Sequence, residues 1–466
     1  MQRVWLAVLL VLAACDGAAV DVGLQSDTLR VISPSSGGAT PDARPVITWT
    51  RVQAGSYRLR VYADAALGQL LDERRAIVSS AQLQTALVDG QVAYAVVEAL
   101  DAAGQVLQVG EASRFRCVLL PPEFPHPRLV LHDAQRAQGG YKLFNLSRVS
   151  APIMGLVNEA AEVAWWYRHP GEGVLGDARL LPNGNLAYTI RTNANEAGER
   201  FGIGYEITWD GQVVWQSRPD VDIHHELGLG PGGNYLYLKW VFKEVAGVTY
   251  EGDGLELVDP ATNQVLWEWN MFDHYDPTDW VVPEAARLGL SGRGVDWSHS
   301  NAAVWDPDRS LIWVSVRHFD QFIGIDYPSG QLAILLGNRG LGGPDLVSHP
   351  HAPEVQADGS LLFFDNGNLR TPQISSARII AFDAQAGTSE TTFVWQDNPP
   401  FYDRAVGDAD RQPNGNILIT AGVSGRIIEI TPQGEKVWEL AIDNPATWVY
   451  RTHQVDESLI PQAILP

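Results

Sequence analysis

A chain of 466 residues is too long for one ordinary compact domain unless that domain is a barrel or a repeat array. Its 44 glycines and 28 prolines punctuate segments rich in Val, Ile, Trp and Tyr, and long helical periodicity is absent, a pattern that reads as all-β with many turns. A formal charge of −22 with no compensating basic stripe excludes a nucleic-acid partner, because a polyanion would be repelled.

In chain order the first segment is an export signal rather than part of a fold. Met1-Gln2-Arg3 is a short positive start, and Val4 to Leu12 is an apolar run too short for a permanent membrane span. It ends in Leu12-Ala13-Ala14-Cys15, which resembles the cleavage box of a bacterial lipoprotein. The expectation is a signal peptide over residues 1–14 and lipidation of Cys15, which would tether the protein to a membrane of the periplasm or cell envelope. An ordinary signal peptide that happens to end in cysteine is the alternative. Asp16 resembles an inner-membrane retention signal, and the choice between inner and outer membrane stays open.

Residues 15–28 are small and polar, and read as a tether. Short alternating strands follow over 29–120, with Pro45-Val46-Ile47-Thr48-Trp49 and Tyr57-Arg58-Leu59-Arg60-Val61-Tyr62 the clearest. This stretch resembles a small fibronectin type III or Ig-like β-sandwich, read as a spacer. If Cys15 is lipidated, Cys117 is the one thiol left, so no intramolecular disulfide can form and Cys117 is expected to be a buried apolar residue. The proline-rich run from Pro121 to Pro127 makes 121–139 a stiff linker.

From 140 to 466 one frame repeats. Gly176 precedes Pro182-Asn183-Gly184-Asn185 and the strand Leu186–Ile190; the same order recurs from His225, His299, His351 and Gly407, at intervals of 46 to 74 residues. Each repeat carries a second hairpin, such as Tyr205–Trp209 turning at Asp210-Gly211 into Val213–Trp215, so a repeat is a four-stranded propeller blade. Residues 141–167 supply only a second half and the segment from His453 only a first half. Pairing these ends closes the ring, and the count becomes a six-bladed β-propeller.

The first strand of each blade lines the channel, so His225, His299 and His351 are expected at one level, with Gly176 and Gly407 leaving space beside them. One such histidine would be read as structural; three are read as functional. His453 lies in a degenerate unit beside Tyr450-Arg451 and is set aside.

Asp296-Trp297-Ser298-His299-Ser300-Asn301, then Ser315-Val316-Arg317-His318, then His351 thirteen residues before Phe364-Asp365-Asn366-Gly367, resemble the bacterial aryl-sulfate sulfotransferases. The resemblance covers nearly the whole mature chain. It implies an enzyme moving a sulfuryl group from a phenolic sulfate donor to a phenol acceptor by a ping-pong route, with no nucleotide sulfate donor and no cofactor. It implies that His351 is transiently sulfated, and that His225, His299, Asn301 and Arg317 surround the sulfate and the phenolic oxygen. The motif around His351 reads His349-Pro350-His351, which makes His349 a competing nucleophile.

The residue chemistry agrees with that implication. A neutral imidazole is a good nucleophile near neutral pH, Arg317 offers a permanent fork of donors and Asn301 neutral ones, and a second histidine can protonate a phenolate of pKa about 10. Trp297, Phe319, Tyr402 and Trp448 are candidates to stack on the aryl ring. Three or four histidines around a channel also fit zinc or iron, but Arg317 beside them argues against a cation, so no metal is expected. The alternative from another class is a non-catalytic propeller lipoprotein that binds a ligand or scaffolds envelope proteins. The proline-rich insertion Met271 to Arg293, with Asp273-His274-Tyr275-Asp276, reads as a functional loop and candidate lid.

Overall fold

The computed structural model of the chain describes residues 25–147, 151–280, 289–442, 444 and 447–465. The expected signal peptide, Cys15 and most of the tether lie outside the described residues, as do 281–288 of the insertion. The described residues are all-β with short 3-10 turns and no α-helix. The chain divides into two compact units, one holding residues up to Pro121 with Glu162–Trp165 and Gln462–Pro466, the other Pro122–Ala161 with Trp166–Pro461.

In the first unit, Val31–Ser33, Val46–Trp49 and Ser80–Gln82 form one sheet, and a six-stranded sheet is centred on Val92–Leu100 and Ser56–Tyr62. Alternation in Ser56–Tyr62 buries Tyr57, Leu59 and Val61. These meet Ile47 and Trp49 of the smaller sheet in a single core, where Trp49 and Tyr57 pack edge to face at 5.6 Å. Cys117 is fully buried in that core, and burial pushes its thiol up to about 11, which leaves it unreactive.

The second unit has a propeller-like β fold. Among the described residues it contains six sheets, and each of their inner strands adjoins the next around a ring: Val174–Leu180, Ile223–Leu229, Ser300–Asp306, Pro350–Val355, Asp408–Arg411, Trp448–Gln454 and back to the first. The hairpins between first and second strands carry the Asn-Gly signals; Gly184 (φ 84°) and Gly415 (φ 88°) take the left-handed backbone that side chains disfavour. The inner strand Trp448–Gln454 pairs with Lys142–Ser147, so strands from the two ends of the repeat region share one sheet.

Two segments differ from the sequence reading. Lys142–Ser147, Ile153–Val157 and Val163–Arg168 give the N-terminal part of that shared sheet three strands rather than two; Ile153–Val157 is buried at every position and so lacks the alternation that marks a strand. The supposed linker contains Pro127–His132, an outer strand paired to Lys436–Ile442. Pro127 opens that strand, where its missing N–H costs nothing.

Candidate active site

The site forms where the inner strands begin, and β-bulges re-aim its side chains. His225 and Glu226 fall in a bulge opposite Leu238 and Tyr237, Ala352 and Pro353 in one that follows His351, and Asn301 in one between Ser300 and Ala302. His225 therefore lies in a bulge, His299 just before its strand and His351 opposite Phe364, so the three do not share one register position. His225 (φ 56°), His299 (φ 52°) and His349 (φ 53°) all adopt left-handed backbone. This conformation costs roughly 1–2 kcal/mol for a residue with a Cβ, and such strain concentrates at functional sites. Nor do the glycines leave space. A Cβ on Gly176 would meet Thr189 Oγ1 at 2.2 Å, and one on Gly407 would meet the Phe364 ring at 2.4 Å, so close packing demands glycine there.

The rings form a continuous path. His224 Nδ1 is 2.7 Å from His225 Nδ1; the His225 ring lies 5.3 Å from His299, His299 4.8 Å from His318, and His318 6.2 Å from His349. His225 and His351 flank Tyr450, at 6.3 and 5.8 Å. Carboxylates bind two of these rings and face a third: His299 Nδ1 lies 2.6 Å from Asp296 Oδ2, His349 Nδ1 3.0 Å from Asp320 Oδ1, and His224 Nε2 3.1 Å from Asp253 Oδ1. No carboxylate contact of this kind is found for His351 among the described residues.

Charge is distributed accordingly. Burial, then Arg451 and Arg317, hold the His351 imidazole well below its usual value, so it is a free base at neutral pH. Burial, then Arg317, depress His299 in the same way, and burial with His299 takes His318 down to about 3. Burial raises Asp296 to about 6, with Asp253 adding and His318 and Arg317 opposing. Burial alone would raise Asp253 as well, but the adjacent His224 ring and hydrogen bonds from Ser298 and the Ser300 amide outweigh it.

Each expected site residue has a definite place. Arg317 is half-buried, donates to the Arg404 carbonyl at 3.0 Å, and has Tyr402 among the groups that act on its charge. Asn301 is fully buried, and its side chain is engaged: Nδ2 donates to the Pro350 carbonyl at 2.9 Å while Oδ1 accepts from Ser315 Oγ at 2.5 Å. It fixes the backbone before His351 rather than offering an open donor to an anion. Trp297 and Phe319, expected to stack on a substrate, belong to the core: Trp297 stacks on Phe272 at 4.9 Å and Phe319 on Trp280 at 3.9 Å, each 1 % exposed. Large apolar rings of the insertion reach them before any ligand can. Tyr402 and Trp448 remain partly exposed.

Sequence reasoning missed Tyr450 and Arg451, which it named only as neighbours of the discarded His453. Arg451 is buried, donates to the Asn301 carbonyl at 2.8 Å and pairs with Glu226 at 3.2 Å. The signal existed, since both residues sit on the inner strand of the sheet that the paired ends form. His453 itself bridges Asp410 (2.7 Å) and Asp177 (2.9 Å), and although burial opposes it, these carboxylates raise its pKa well above the usual value. Two groups could each converge on one ion: Asp296 with His299 and His318, and Asp408 with Asp410 and His453. Arg317 disfavours a cation at the first, and the cationic His453 already fills that role at the second.

The propeller-like β unit thus gathers the unprotonated His299, His318 and His351 with the half-buried Arg317 and the buried Arg451. The model of the family described as Arylsulfotransferase (ASST) matches residues 157–451. The chain belongs to the arylsulfotransferase (ASST) family and is a sulfotransferase enzyme by that membership. No curated protein matches it. Similar solved structures include a protein of unknown function from Bacteroides caccae (13 % identity over 65 % of this chain and 93 % of that one, TM-score 0.44). A streptogramin B lyase shares 11 % identity over 70 % and 86 %, at a TM-score of 0.40.

Proposed function

We propose that the protein is an aryl-sulfate sulfotransferase that carries a sulfuryl group from a phenolic sulfate ester to a phenol, without a nucleotide donor, through a sulfated His351. One observation carries this reading: His351 is a free-base imidazole flanked by two permanent cations, Arg317 and Arg451, with His225 and His299 beside it. In the first half-reaction a His351 nitrogen forms an N–S bond while the ester S–O bond breaks, and the departing phenolate takes the proton that the acceptor phenol of the preceding turnover left on the neighbouring histidines. In the second, the phenol acceptor loses its proton to that imidazole and attacks sulfur, restoring free His351. Sulfuryl transfer shares with phosphoryl transfer a loose transition state whose charge sits on equatorial and leaving oxygens, which is where fixed arginine donors lower the barrier most.

The same reading takes the second unit as a six-bladed propeller over 140–466, the stretch 29–120 as a sandwich spacer, and Cys15 as a lipid anchor holding the enzyme in the periplasm or cell envelope. Release of 4-nitrophenol from 4-nitrophenyl sulfate, with phenol as acceptor, tests the chemistry. Wild type should give a stoichiometric burst without acceptor and steady turnover with it. His351→Ala should lose both. Turnover that survives His351→Ala and disappears in His349→Ala would transfer the nucleophile to His349.

A further inference from the structure

His225 is well placed to exchange a proton with a phenolic oxygen and badly placed to keep one. Burial, then His224, His299, His351 and Arg191, hold its imidazole well below the usual range. A general acid at that position would carry its charge among groups that repel it. The contacts behind the ring offer another location. His224 is 3 % exposed, stacks on Trp240 at 5.2 Å, and presents Nδ1 to His225 Nδ1 at 2.7 Å while Nε2 lies 3.1 Å from Asp253 Oδ1. Asp253 is itself fixed as an acceptor by Ser298 Oγ at 2.6 Å and the Ser300 amide at 2.7 Å.

These contacts dictate the tautomers. An ionised Asp253 lies 3.1 Å from His224 Nε2, outside hydrogen-bond geometry but close enough that its charge favours the proton on that nitrogen. With His224 neutral, its Nδ1 is then a bare acceptor, and His225 must donate Nδ1–H. That leaves a lone pair on His225 Nε2, for which no hydrogen bond exists among the described residues.

We propose that Asp253, His224 and His225 form a proton relay in which His224 holds the charge for His225. When a phenol gives its proton to His225 Nε2, the shared proton passes from His225 Nδ1 to His224 Nδ1. One N–H bond forms at Nε2, one breaks at His225 Nδ1 and one forms at His224 Nδ1, so one proton enters and the net charge rises by one. The positive charge ends on His224, where Asp253 is in contact and Asp296 and Glu251 also face it. His225 stays neutral beside His299, His351, Arg191 and Tyr450. Loaded in this way by an acceptor phenol, the relay protonates the next departing phenolate by the reverse transfer, the Nε2–H bond of His225 breaking as the His224 Nδ1 proton returns to His225 Nδ1. His224 is thus a positioning residue that acts through His225, and the identity of the oxygen it serves rests on the sulfuryl-transfer reading.

Donors with leaving groups of different basicity test the relay. His224→Asn keeps an N–H toward Asp253 and an acceptor toward His225 Nδ1, but it cannot take up a proton. Its kcat/KM should fall about 10²-fold with phenyl sulfate, whose leaving group needs a proton, and much less with 4-nitrophenyl sulfate, whose leaving group does not. His224→Phe, which also frees the His225 ring, should lose activity with both. Equal losses with both donors in His224→Asn, or no loss with either, would overturn the relay. NMR of nitrogen-labelled histidines provides a readout independent of turnover, with assignments from the His224→Asn and His225→Gln variants. Expected at neutral pH are Nδ1–H on His225 and Nε2–H on His224. A His225 found as the Nε2–H tautomer would overturn the relay, whereas wild type that turns over no aryl sulfate would overturn the sulfuryl reading alone.

Discussion

Asp296 is an acceptor alone toward His299 Nδ1 only while it is ionised, since a protonated carboxyl can also donate to that nitrogen, and burial has moved its pKa to about 6. Below that pH the carboxyl is neutral and no longer sets the His299 tautomer, so kcat/KM should fall as pH drops through about 6. Stability moves the other way. The folded pKa lies above the ordinary value of 3.8, so this group's contribution is fully present below about 3.8 and is lost as pH rises through about 6. The acid limb is therefore not unfolding driven by Asp296, and the circular dichroism signal should hold across it. Asp296→Asn should abolish the limb and lower kcat/KM at neutral pH about 10²-fold. A wild-type limb retained in the variant would show that another group sets it. In the sequence, Asp296 is visible only as the first residue of the motif ending in Asn301. The histidines stand out there by their recurrence, but their carboxylate partners do not, because contacts such as Asp253 to His224 join residues far apart in the chain.

At the scale of single strands, the bulges separate residues that bind from residues that brace. If Asn301 served an anion directly, Asn301→Ala would lower kcat and leave stability nearly unchanged. Its two hydrogen bonds predict the reverse emphasis: truncation leaves Ser315 Oγ and the Pro350 carbonyl buried without their partner, at a cost of about 1–3 kcal/mol. Urea denaturation of Asn301→Ala should report that loss, with activity falling because the backbone before His351 is no longer held. An unchanged midpoint would return Asn301 to a direct role. Hairpins were legible because Asn-Gly turns announce them, as at Gly184 and Gly415. Ile153–Val157 was not, since a strand buried on both faces has no period to read, and Pro127–His132 was masked by the prolines around it. Trp297 and Phe319 were drawn toward a ligand by their motif neighbours; only the packing of Phe272 and Trp280 shows that they are core.

Across the whole second unit, Arg451 ties the ring together. It comes from the inner strand of the sheet shared by the paired ends, and its guanidinium reaches Asp177 on one neighbouring sheet (3.5 Å), Glu226 on the next (3.2 Å) and the Asn301 carbonyl on a third (2.8 Å). Asp177 and Glu226 also bind Arg179, with the Glu226 contact at 2.6 Å, and Glu226 Oε2 accepts from the Ala303 amide at 3.0 Å. Burial works against a charged Arg451, but Glu226 and Asp177 more than compensate and hold its pKa well above the usual value. Removing one partner of such a buried network costs about 3–5 kcal/mol, because the remaining charges lose their compensation. Arg451→Met keeps much of the volume, so most of its effect is electrostatic. It should lower the urea midpoint by an amount in that range and weaken turnover, since His351 loses one of its two flanking cations. Glu226→Gln in the Arg451→Met background should restore part of the stability, because it neutralises a buried carboxylate that has lost one of its two arginine partners, but should restore no turnover, because no cation returns beside His351. If the double variant is as unstable as the sum of the two single changes, the residues are not coupled and Arg451 does not join the sheets in the way its contacts indicate.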